Sequence, residues 1–244
     1  MKFTVIHKAC LLAGIAAALF IPVAVAANLQ LLVGTTGDYP PLTAKSGNGF
    51  SGKDIDIVKA FAKDNQFELK FVPTTWQTLN SDLSQNKFVI AVGGISVNPE
   101  RSKLFYLSLP IESSTKAAMI RCADMNRFTS LPEIDNESIV IIENRGGTNQ
   151  DFALKNIISA TIKLVPANAT AIASLTTTPP LADVMFTDDI EIAYRHQLNP
   201  KLCQAQIPEK FSSSSKVFVF AKTAEGQKLQ QLFNQWWQSK LNQR

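Results

Sequence analysis

The sequence is poor in the side chains that usually hold metal ions. It contains three cysteines and two histidines in 244 residues. Cys10 and His7 lie in the N-terminal stretch, which leaves His196 and the well-separated Cys122 and Cys203 for the rest of the chain. One histidine and two distant thiols make a poor ligand set for zinc, which prefers four closely placed ligands. The composition therefore predicts no metal site.

The chain also lacks a strong excess of charge of either sign. Its formal net charge is +4 at pH 7, and two of the lysines behind that excess, Lys2 and Lys8, belong to an N-terminal stretch that we expect to be removed. Binding of nucleic acid normally needs a strongly basic surface. We therefore predict no nucleic-acid partner.

Long apolar runs are confined to the N-terminus. The run "ACLLAGIAAALFIPVAV" follows two lysines, and "AVA" at residues 24–26 is a small-residue ending of the kind that is cleaved. This pattern predicts a secretory signal peptide over residues 1–26 and export to the periplasm. A membrane anchor is the alternative, but the run is short and no later run is long enough to span a bilayer. The mature chain is accordingly predicted not to insert into a membrane.

Export changes the interpretation of the two remaining cysteines. An even number of cysteines in an exported chain favours a disulfide, here between Cys122 and Cys203. Such a bridge would close a loop of about 80 residues and stabilise the fold by about 4 kcal/mol in the chain-entropy picture.

Short apolar segments alternate with amphipathic ones, which predicts α/β architecture. The predicted strands are "LQLLVGTT", "ELKFVPT", "FVIAVGGIS", "SIVIIEN", "TIKLVPA", "ADVMFTD" and "SKVFVFAK". The predicted helices are "GKDIDIVKAFAKDN", "WQTLNSDLSQN", "QDFALKNII", "ATAIASL", "DIEIAYRHQ" and "EGQKLQQLFNQWWQSKL". Two such groups indicate two lobes of roughly 100 residues with a cleft between them. In open α/β sheets, ligands bind beyond the carboxyl ends of the strands.

One of those strand ends, "ENRGGTNQDF", is an unusual joint between a strand and a helix. Gly146 and Gly147 permit a tight turn, and Thr148 or Asn149 is placed to cap the helix that follows. The N–H groups of such a joint suit a carboxylate or a phosphate.

The stretches "VGTTGDYPPL", "GFSGKDIDIVKAFA", "GGISVNPERSKLFYLSLP" and a late "TDD" resemble the periplasmic solute-binding proteins for polar amino acids. The resemblance runs from about residue 31 to the C-terminus. It implies a type II periplasmic binding protein-like fold, with two βαβ lobes joined by two crossover strands. The lobes would comprise residues 28–118 with 220–244, and residues 119–219.

The same resemblance assigns binding roles around the cleft. Arg101 would hold a ligand carboxylate, since a guanidinium fork matches a carboxylate. Thr148 would add its hydroxyl and N–H, Asp188 would meet an ammonium, and the strand end "GGIS" would bring in Gly94 and Ser96. The plainer alternatives are a surface arginine and two helix N-caps.

Other stretches are more similar to cyclohexadienyl dehydratases, which convert prephenate or arogenate and share this fold. They are "VPTTWQTLNSDLSQNKFVIAVGGISVNPER", "NRGGTNQDFALKN" and "FTDDIEIAYRHQLNPKLC". The resemblance places Cys122 and Cys203 where that family has its bridge. It implies an activity without a cofactor, because the carboxylate leaves as carbon dioxide while the ring takes up the electrons.

Glu191 is the acid that this resemblance singles out as catalytic. The hydroxyl of the substrate is a poor leaving group, and a carboxylic acid whose pKa is raised by burial or by a nearby carboxylate could protonate it. Asp188 and Asp189 are close in sequence. The alternative is a solvated acid in the first turn of a helix, where the helix dipole favours the ionised form.

Four further residues complete the predicted site. Asn144 would hydrogen-bond the leaving hydroxyl, Trp76 and Tyr39 would wall the ring, and Lys116 would face a second carboxylate. The alternatives are a turn residue for Asn144, core packing for the two aromatic residues and an exposed lysine for Lys116.

A binding protein that delivers an amino acid to a membrane transporter is the competing interpretation. It shares Arg101, Thr148 and Asp188, and it would add a transporter permease as partner. In either case the predicted partner is a small carboxylate or amino acid. Glu191 and Asn144 are the residues that distinguish the two functions.

Overall fold

A computed structural model of the protein describes residues 29–243. The predicted signal peptide, residues 1–26, lies outside that range. Within residues 29–243, no helix combines the length and the apolar character that crossing a membrane requires.

The strands are, in chain order, β1 Gln30–Thr35, β2 Asp38–Tyr39, β3 Thr43–Ser46, β4 Gly49–Ser51, β5 Glu68–Pro73, β6 Ile90–Ser96, β7 Tyr106–Leu107, β8 Glu112–Arg121, β9 Val140–Asn144, β10 Thr161–Val165, β11 Val184–Asp188, β12 Leu202–Gln204 and β13 Ser213–Phe220. The α-helices are α1 Lys53–Asp64, α2 Leu79–Ser84, α3 Pro99–Leu104, α4 Leu131–Ile134, α5 Thr148–Asn156, α6 Asn168–Ser174, α7 Asp189–Leu198 and α8 Ala224–Leu241. All the strands and helices predicted above are present.

The main sheet has the strand order β10-β9-β11-β8-β13-β6-β1-β5, with β12 beside β8 and β7 beside β13. Strands β5, β1 and β6 run parallel at one end, and β10, β9 and β11 run parallel at the other. Strands β2, β3 and β4 form a separate small sheet.

Two antiparallel strands, β8 and β13, join the two ends of the sheet. Residues 112–115 of β8 pair with residues 213–216 of β13, and each strand then continues into the other half, β8 beside β11 and β13 beside β6. This is the predicted fold: two βαβ lobes joined by two crossover strands. The lobe boundaries predicted above, 28–118 with 220–244 and 119–219, stay a prediction.

Each lobe has an apolar core that follows from its sequence pattern. In the first lobe, Ile55, Val58 and Phe61 recur at helical spacing on α1 and are buried against β1, β6 and α8. In the second lobe, the buried residues of β9 and β11, Ile141 and Phe186 among them, pack beneath α5. Continuous burial along β6 and β11 is typical of strands covered on both faces.

The predicted disulfide is formed between Cys122 and Cys203, with Cα atoms 4.9 Å apart. One ring nitrogen of His196 and the two sulfur atoms all lie within 4.8 Å of one another. Because the sulfur atoms are bonded to each other, they are not thiolates that could hold a metal.

Candidate functional site

A small cavity lies where the strand ends of the two lobes meet. It is lined by Tyr39, Trp76, Gly94, Ser96, Arg101, Asn144, Gly146, Gly147, Thr148, Asn149, Asp188 and Lys216. Of the predicted site residues, Lys116 and Glu191 do not line this cavity, and all the others do. The predicted strand ends therefore converge on one place.

Arg101 is buried in the cavity wall, at the third position of α3. The side chain of Asn98 caps this helix by accepting the Arg101 N–H at 2.8 Å. The guanidinium donates from Nη1 to the carbonyl oxygen of Ser96 at 2.9 Å and from Nε to Oδ1 of Asn80 at 3.3 Å. Burial lowers the pKa of Arg101, yet arginine stays charged in proteins. The alternative of a surface arginine is therefore wrong.

Arg101 forms no ion pair with any residue between 29 and 243. A buried guanidinium that lacks an anion is costly unless something else supplies one. A ligand carboxylate would do so, with bidentate geometry available.

The glycine joint contacts the first lobe directly. Gly146 and Gly147 have φ angles of 76° and 83°, which glycine adopts without strain. A Cβ atom on Gly146 would lie 2.7 Å from backbone atoms of Trp76 and Gln77, so only glycine allows this approach. The N-cap of α5 is Gly147, and Thr148 is the first helical residue. The expectation that Thr148 or Asn149 caps the helix is wrong, because a left-handed turn at Gly147 starts it one residue earlier.

Asp188 stands at the end of β11 among three polar groups. Its Oδ1 lies 3.0 Å from Lys116 Nζ, and its Oδ2 accepts from Lys216 Nζ at 2.5 Å and from the hydroxyl of Tyr39. Strand pairing explains this cluster: Asp188 lies directly opposite Lys116 in the β11–β8 pair, and Lys216 lies opposite Ser96 in the β13–β6 pair.

These neighbours control the charge of Asp188. Burial alone would raise the pKa of Asp188, but the charges of Lys116 and Lys216 outweigh it and hold that pKa well below its usual range. Asp188 also occupies the N-cap position of α7, although its side chain makes no capping hydrogen bond. The alternative of a plain N-cap does not describe Asp188.

Lys116 is buried, not exposed, and it contacts the cavity wall from behind. Its Nζ donates to Oδ1 of Asn149 at 2.5 Å in addition to its ion pair with Asp188. Asn149 lines the cavity and in turn donates to the hydroxyl of Thr187 at 3.3 Å.

Glu191 is completely buried in the first turn of α7, just behind the strand end that carries Asp188. Oε2 accepts from the hydroxyl of Thr187 at 2.7 Å, and Oε1 accepts from the side-chain amide of Asn168 at 2.7 Å and from Arg195 Nη2 at 3.0 Å. Burial raises the pKa of Glu191, and the Arg195 charge and the hydrogen bonds oppose this only in part. The alternative of a solvated acid is wrong.

Asn144, at the end of β9, offers a hydrogen-bond acceptor. Its amide nitrogen donates to the carbonyl of Gly146 at 3.1 Å, which fixes the side chain against the joint. Its Oδ1 is buried and has no partner within residues 29–243. A substrate hydroxyl would satisfy that atom.

Two aromatic side chains form the apolar wall of the cavity. Tyr39 and Trp76 pack edge to face with ring centroids 5.9 Å apart. Trp76 is held by a hydrogen bond from Nε1 to Asp38 Oδ1 at 2.8 Å. Asp38 also accepts from the backbone N–H of Asn168 at 3.3 Å, so this wall spans both lobes.

Gly94 is positioned by a buried acid on α1. Its N–H donates to Asp54 Oδ2 at 2.8 Å, and a Cβ atom at Gly94 would lie 2.4 Å from the ring of Tyr39. Asp54 forms no salt bridge within residues 29–243, and burial raises its pKa to about 6. The acid therefore fixes the strand end on which Tyr39 packs.

Sequence reasoning missed Lys216, Asn149 and Asp54. Lys216 is fully buried and donates to Ser96 Oγ at 2.7 Å as well as to Asp188. The signal that was available is its place in "SSSKVFVF", where a lysine opens an otherwise apolar strand. The sequence pattern indicates only a helix-capping role for Asn149, and Asp54 looks like an ordinary acid in the first turn of a helix.

Residues 31–239 match the bacterial extracellular solute-binding proteins, family 3. The chain belongs to this family. Among curated proteins, it is similar to the cyclohexadienyl dehydratase of Pseudomonas aeruginosa, with 34% identity over 193 residues that cover 79% of this chain and 71% of that protein.

Solved structures of the family share the two-lobed fold. One is the ancestral amino acid-binding protein AncCDT-1, a precursor of cyclohexadienyl dehydratase, with a TM-score of 0.79, 27% identity and coverage of 87% of this chain and 90% of that one. Another is the transporter substrate-binding protein AbpA from Streptococcus pneumoniae bound to L-arginine, with a TM-score of 0.76, 20% identity and coverage of 84% and 86%. The second likeness shows the fold alone.

Proposed function

We propose that this protein is a periplasmic cyclohexadienyl dehydratase. The reaction is the decarboxylating dehydration of prephenate to phenylpyruvate, or of arogenate to phenylalanine. The observation that carries the proposal is Glu191, a fully buried acid with a raised pKa behind the cavity wall. The similarity to a cyclohexadienyl dehydratase over most of the chain supports it.

The chemistry needs a held carboxylate, a proton donor and a site for the leaving hydroxyl. Arg101 and Thr148, with the first N–H groups of α5, would hold the carboxylate of the side chain. The ring carboxylate leaves as carbon dioxide, its bonding electrons pass into the ring, and the C–O bond breaks. The hydroxyl takes a proton and departs as water. No cofactor takes part in this electron flow.

Glu191 is proposed as the donor of that proton. In the arrangement described here it does not line the cavity, so its side chain must rotate away from Arg195 to reach the substrate. Catalytic contacts often tighten only when the substrate is bound. Loss of the Arg195 contact would remove a nearby cation and raise the pKa of Glu191 further, which keeps the carboxyl protonated and so available as a general acid.

Asn144 would receive the leaving hydroxyl at its unpartnered Oδ1. Tyr39 and Trp76 would lie along the ring and exclude water from the reacting bonds. Burial of the cavity-lining polar groups strengthens each of these contacts relative to water.

The test is turnover of prephenate by the mature protein at neutral pH, followed by the absorbance of phenylpyruvate. Glu191→Gln should reduce turnover by about 10²–10⁴-fold, the usual contribution of one general acid. Glu137→Gln, at an exposed glutamate of the same lobe, is the matched control and should leave turnover unchanged. Equal turnover in Glu191→Gln and the parent would remove Glu191 from the reaction.

Amino-acid binding for a membrane transporter is the second candidate. It is favoured by the buried guanidinium of Arg101 in the cavity wall and by the likeness to an ancestral amino acid-binding protein. A protein that turns over neither substrate, but whose melting temperature rises with one amino acid, would be such a binder. In that case a permease would be its partner.

A further inference from the structure

Lys216 places a second cation inside the cavity, next to the acid that would receive an amino group. Its Nζ lies 2.5 Å from Asp188 Oδ2 and 2.7 Å from Ser96 Oγ, and the side chain is fully buried. It reaches this position because β13 crosses between the lobes directly beside Ser96 of β6. No role in the dehydration described above uses it.

Both oxygens of Asp188 already lie close to a cation. Lys116 approaches Oδ1 at 3.0 Å, while Lys216 and the Tyr39 hydroxyl contact Oδ2. Oδ1 has no hydrogen-bond partner within residues 29–243, but an ammonium that approached it would lie next to two ammonium groups of the protein. Like charges placed together in a desolvated site are strongly unfavourable.

The charges around the cavity therefore suit an anion both beside Arg101 and beside the two lysines that face Asp188. Arg101 forms no salt bridge within residues 29–243, although Glu100 and Asp151 act on it from a greater distance, and Asp188 is faced by two lysines. Glu191 does not alter this balance, because it is paired with Arg195. A ligand whose only charges are carboxylates would be compensated, whereas the corresponding 2-amino acid would bring an ammonium that the site repels.

We propose that Lys216 makes this cavity selective for a 2-oxo dicarboxylate over the corresponding 2-amino acid, and hence for prephenate over arogenate. The naming of these two substrates rests on the proposed dehydratase function. The discrimination itself rests on the ion pair of Lys216 with Asp188 and on its contact with Ser96.

Phenylpyruvate and phenylalanine test the discrimination without turnover, because they share the ring and differ in the 2-oxo and 2-ammonio groups. Calorimetric titration should give at least about tenfold tighter binding of phenylpyruvate to the parent protein. The ratio should fall by at least about tenfold in Lys216→Met, which keeps the length of the side chain and removes its charge. A tenfold change corresponds to about 1.4 kcal/mol.

Two further variants make the result specific. Lys216→Gln retains a donor for Ser96, so it should show the same loss of discrimination if charge is the cause. Lys222→Met changes an exposed lysine just beyond the end of β13 and should keep the parent ratio. Circular dichroism confirms that each variant is folded. If the Lys216 variants do not fold, equal binding of phenylpyruvate and phenylalanine by the parent protein still overturns the selectivity.

Failure of this inference and failure of the proposed function give different results. Equal binding of the two ligands by the parent, or an unchanged ratio in Lys216→Met and Lys216→Gln, would overturn the selectivity. Equal turnover of arogenate and prephenate would overturn it while the dehydratase function stands. A preference for the 2-oxo acid without turnover would support the selectivity and remove the dehydratase. Binding of neither ligand would overturn both.

Discussion

Asp188 and Glu191 are buried acids at one junction, the end of β11 and the first turn of α7, yet their surroundings give them opposite properties. Asp188 meets two ammonium groups and a phenol, and its pKa falls. Glu191 meets one guanidinium, an amide and a hydroxyl, and its pKa rises because burial outweighs them. Neighbouring acids in the sequence thus acquire different roles from the strands and helices that pack on them.

The two acids also contribute to stability with opposite dependence on pH. The folded pKa of Asp188 lies below its unfolded value, so its contribution is present above about pH 4 and is lost as the pH falls. The folded pKa of Glu191 lies above its unfolded value, so its contribution is present at low pH and is lost as the pH rises through the folded pKa.

The largest expected difference between the two acids is the loss in the free energy of unfolding when each is replaced by its amide. Asp188→Asn leaves Lys116 and Lys216 buried without an anion, and we expect the free energy of unfolding at pH 7 to fall by about 3–5 kcal/mol. Glu191→Gln should cost less, because Arg195 retains 18% exposure of its side chain and can be hydrated. Urea unfolding of both variants measures this, and equal costs would contradict the assigned environments.

Asp54 extends the comparison to a buried acid that forms no salt bridge within residues 29–243. Its pKa is raised from 3.8 to about 6, so the folded state binds the extra proton between those values and loses stability as the pH rises through them. Asp54→Asn lacks this loss. From pH 4 to pH 7, its unfolding free energy relative to the parent should therefore shift in its favour by about 2 kcal/mol. Asp56→Asn, at an exposed position of the same helix, should show no shift of that size.

Arg195→Met would sharpen the description of Glu191. The change removes the cation from a completely buried acid, and we expect a loss of about 2 kcal/mol at pH 7, below the value for a fully buried pair because Arg195 is partly exposed. The loss should decrease as the pH falls, because protonation of Glu191 removes the unpaired charge. In the Glu191→Gln background it should vanish, and a persisting loss there would assign the effect to packing instead.

The smallest effect concerns the phenol that contacts Asp188. Tyr39→Phe removes that donor while both lysines remain, so we expect a loss of about 1 kcal/mol in the free energy of unfolding. Tyr106→Phe, beside Lys222 on the first lobe, serves as the control and should change stability by less than about 0.5 kcal/mol. A Tyr39→Phe variant as stable as the parent would show that the lysines alone hold Asp188.

Much of the fold could be predicted because it depends on local periodicity. The helical spacing of Ile55, Val58 and Phe61 and the continuous apolar run of β6 each indicate an element without knowledge of its partners. The strand β8 was not predicted, because its first half, "ESSTK", is polar. Those residues are polar because they lie at the crossing between the lobes, and only the pairing with β13 makes them a strand.

Site residues at the ends of strands could be predicted from the sequence. Site residues that come to the cavity only through pairing between distant strands could not. Asn144 and Asp188 end buried strands and Gly146 lies just beyond one, so their convergence follows from the α/β pattern. Lys216 lies at the start of its strand's apolar run, and only the antiparallel register with β6 brings it to Ser96. The burial of Glu191 was likewise invisible, since first-turn acids are usually solvated.

The sequence by itself determined the alternation of the main strands and helices, the glycine joint and the pair of cysteines that form the disulfide. These depend on the properties of single residues and of short segments: apolar spacing, the φ range of glycine and the presence of thiols. Only the tertiary structure decided that Asp188 forms ion pairs with both Lys116 and Lys216 and that Glu191 is completely buried. Charge and burial depend on distances between residues far apart in the chain, and those distances exist only once the two crossover strands have paired.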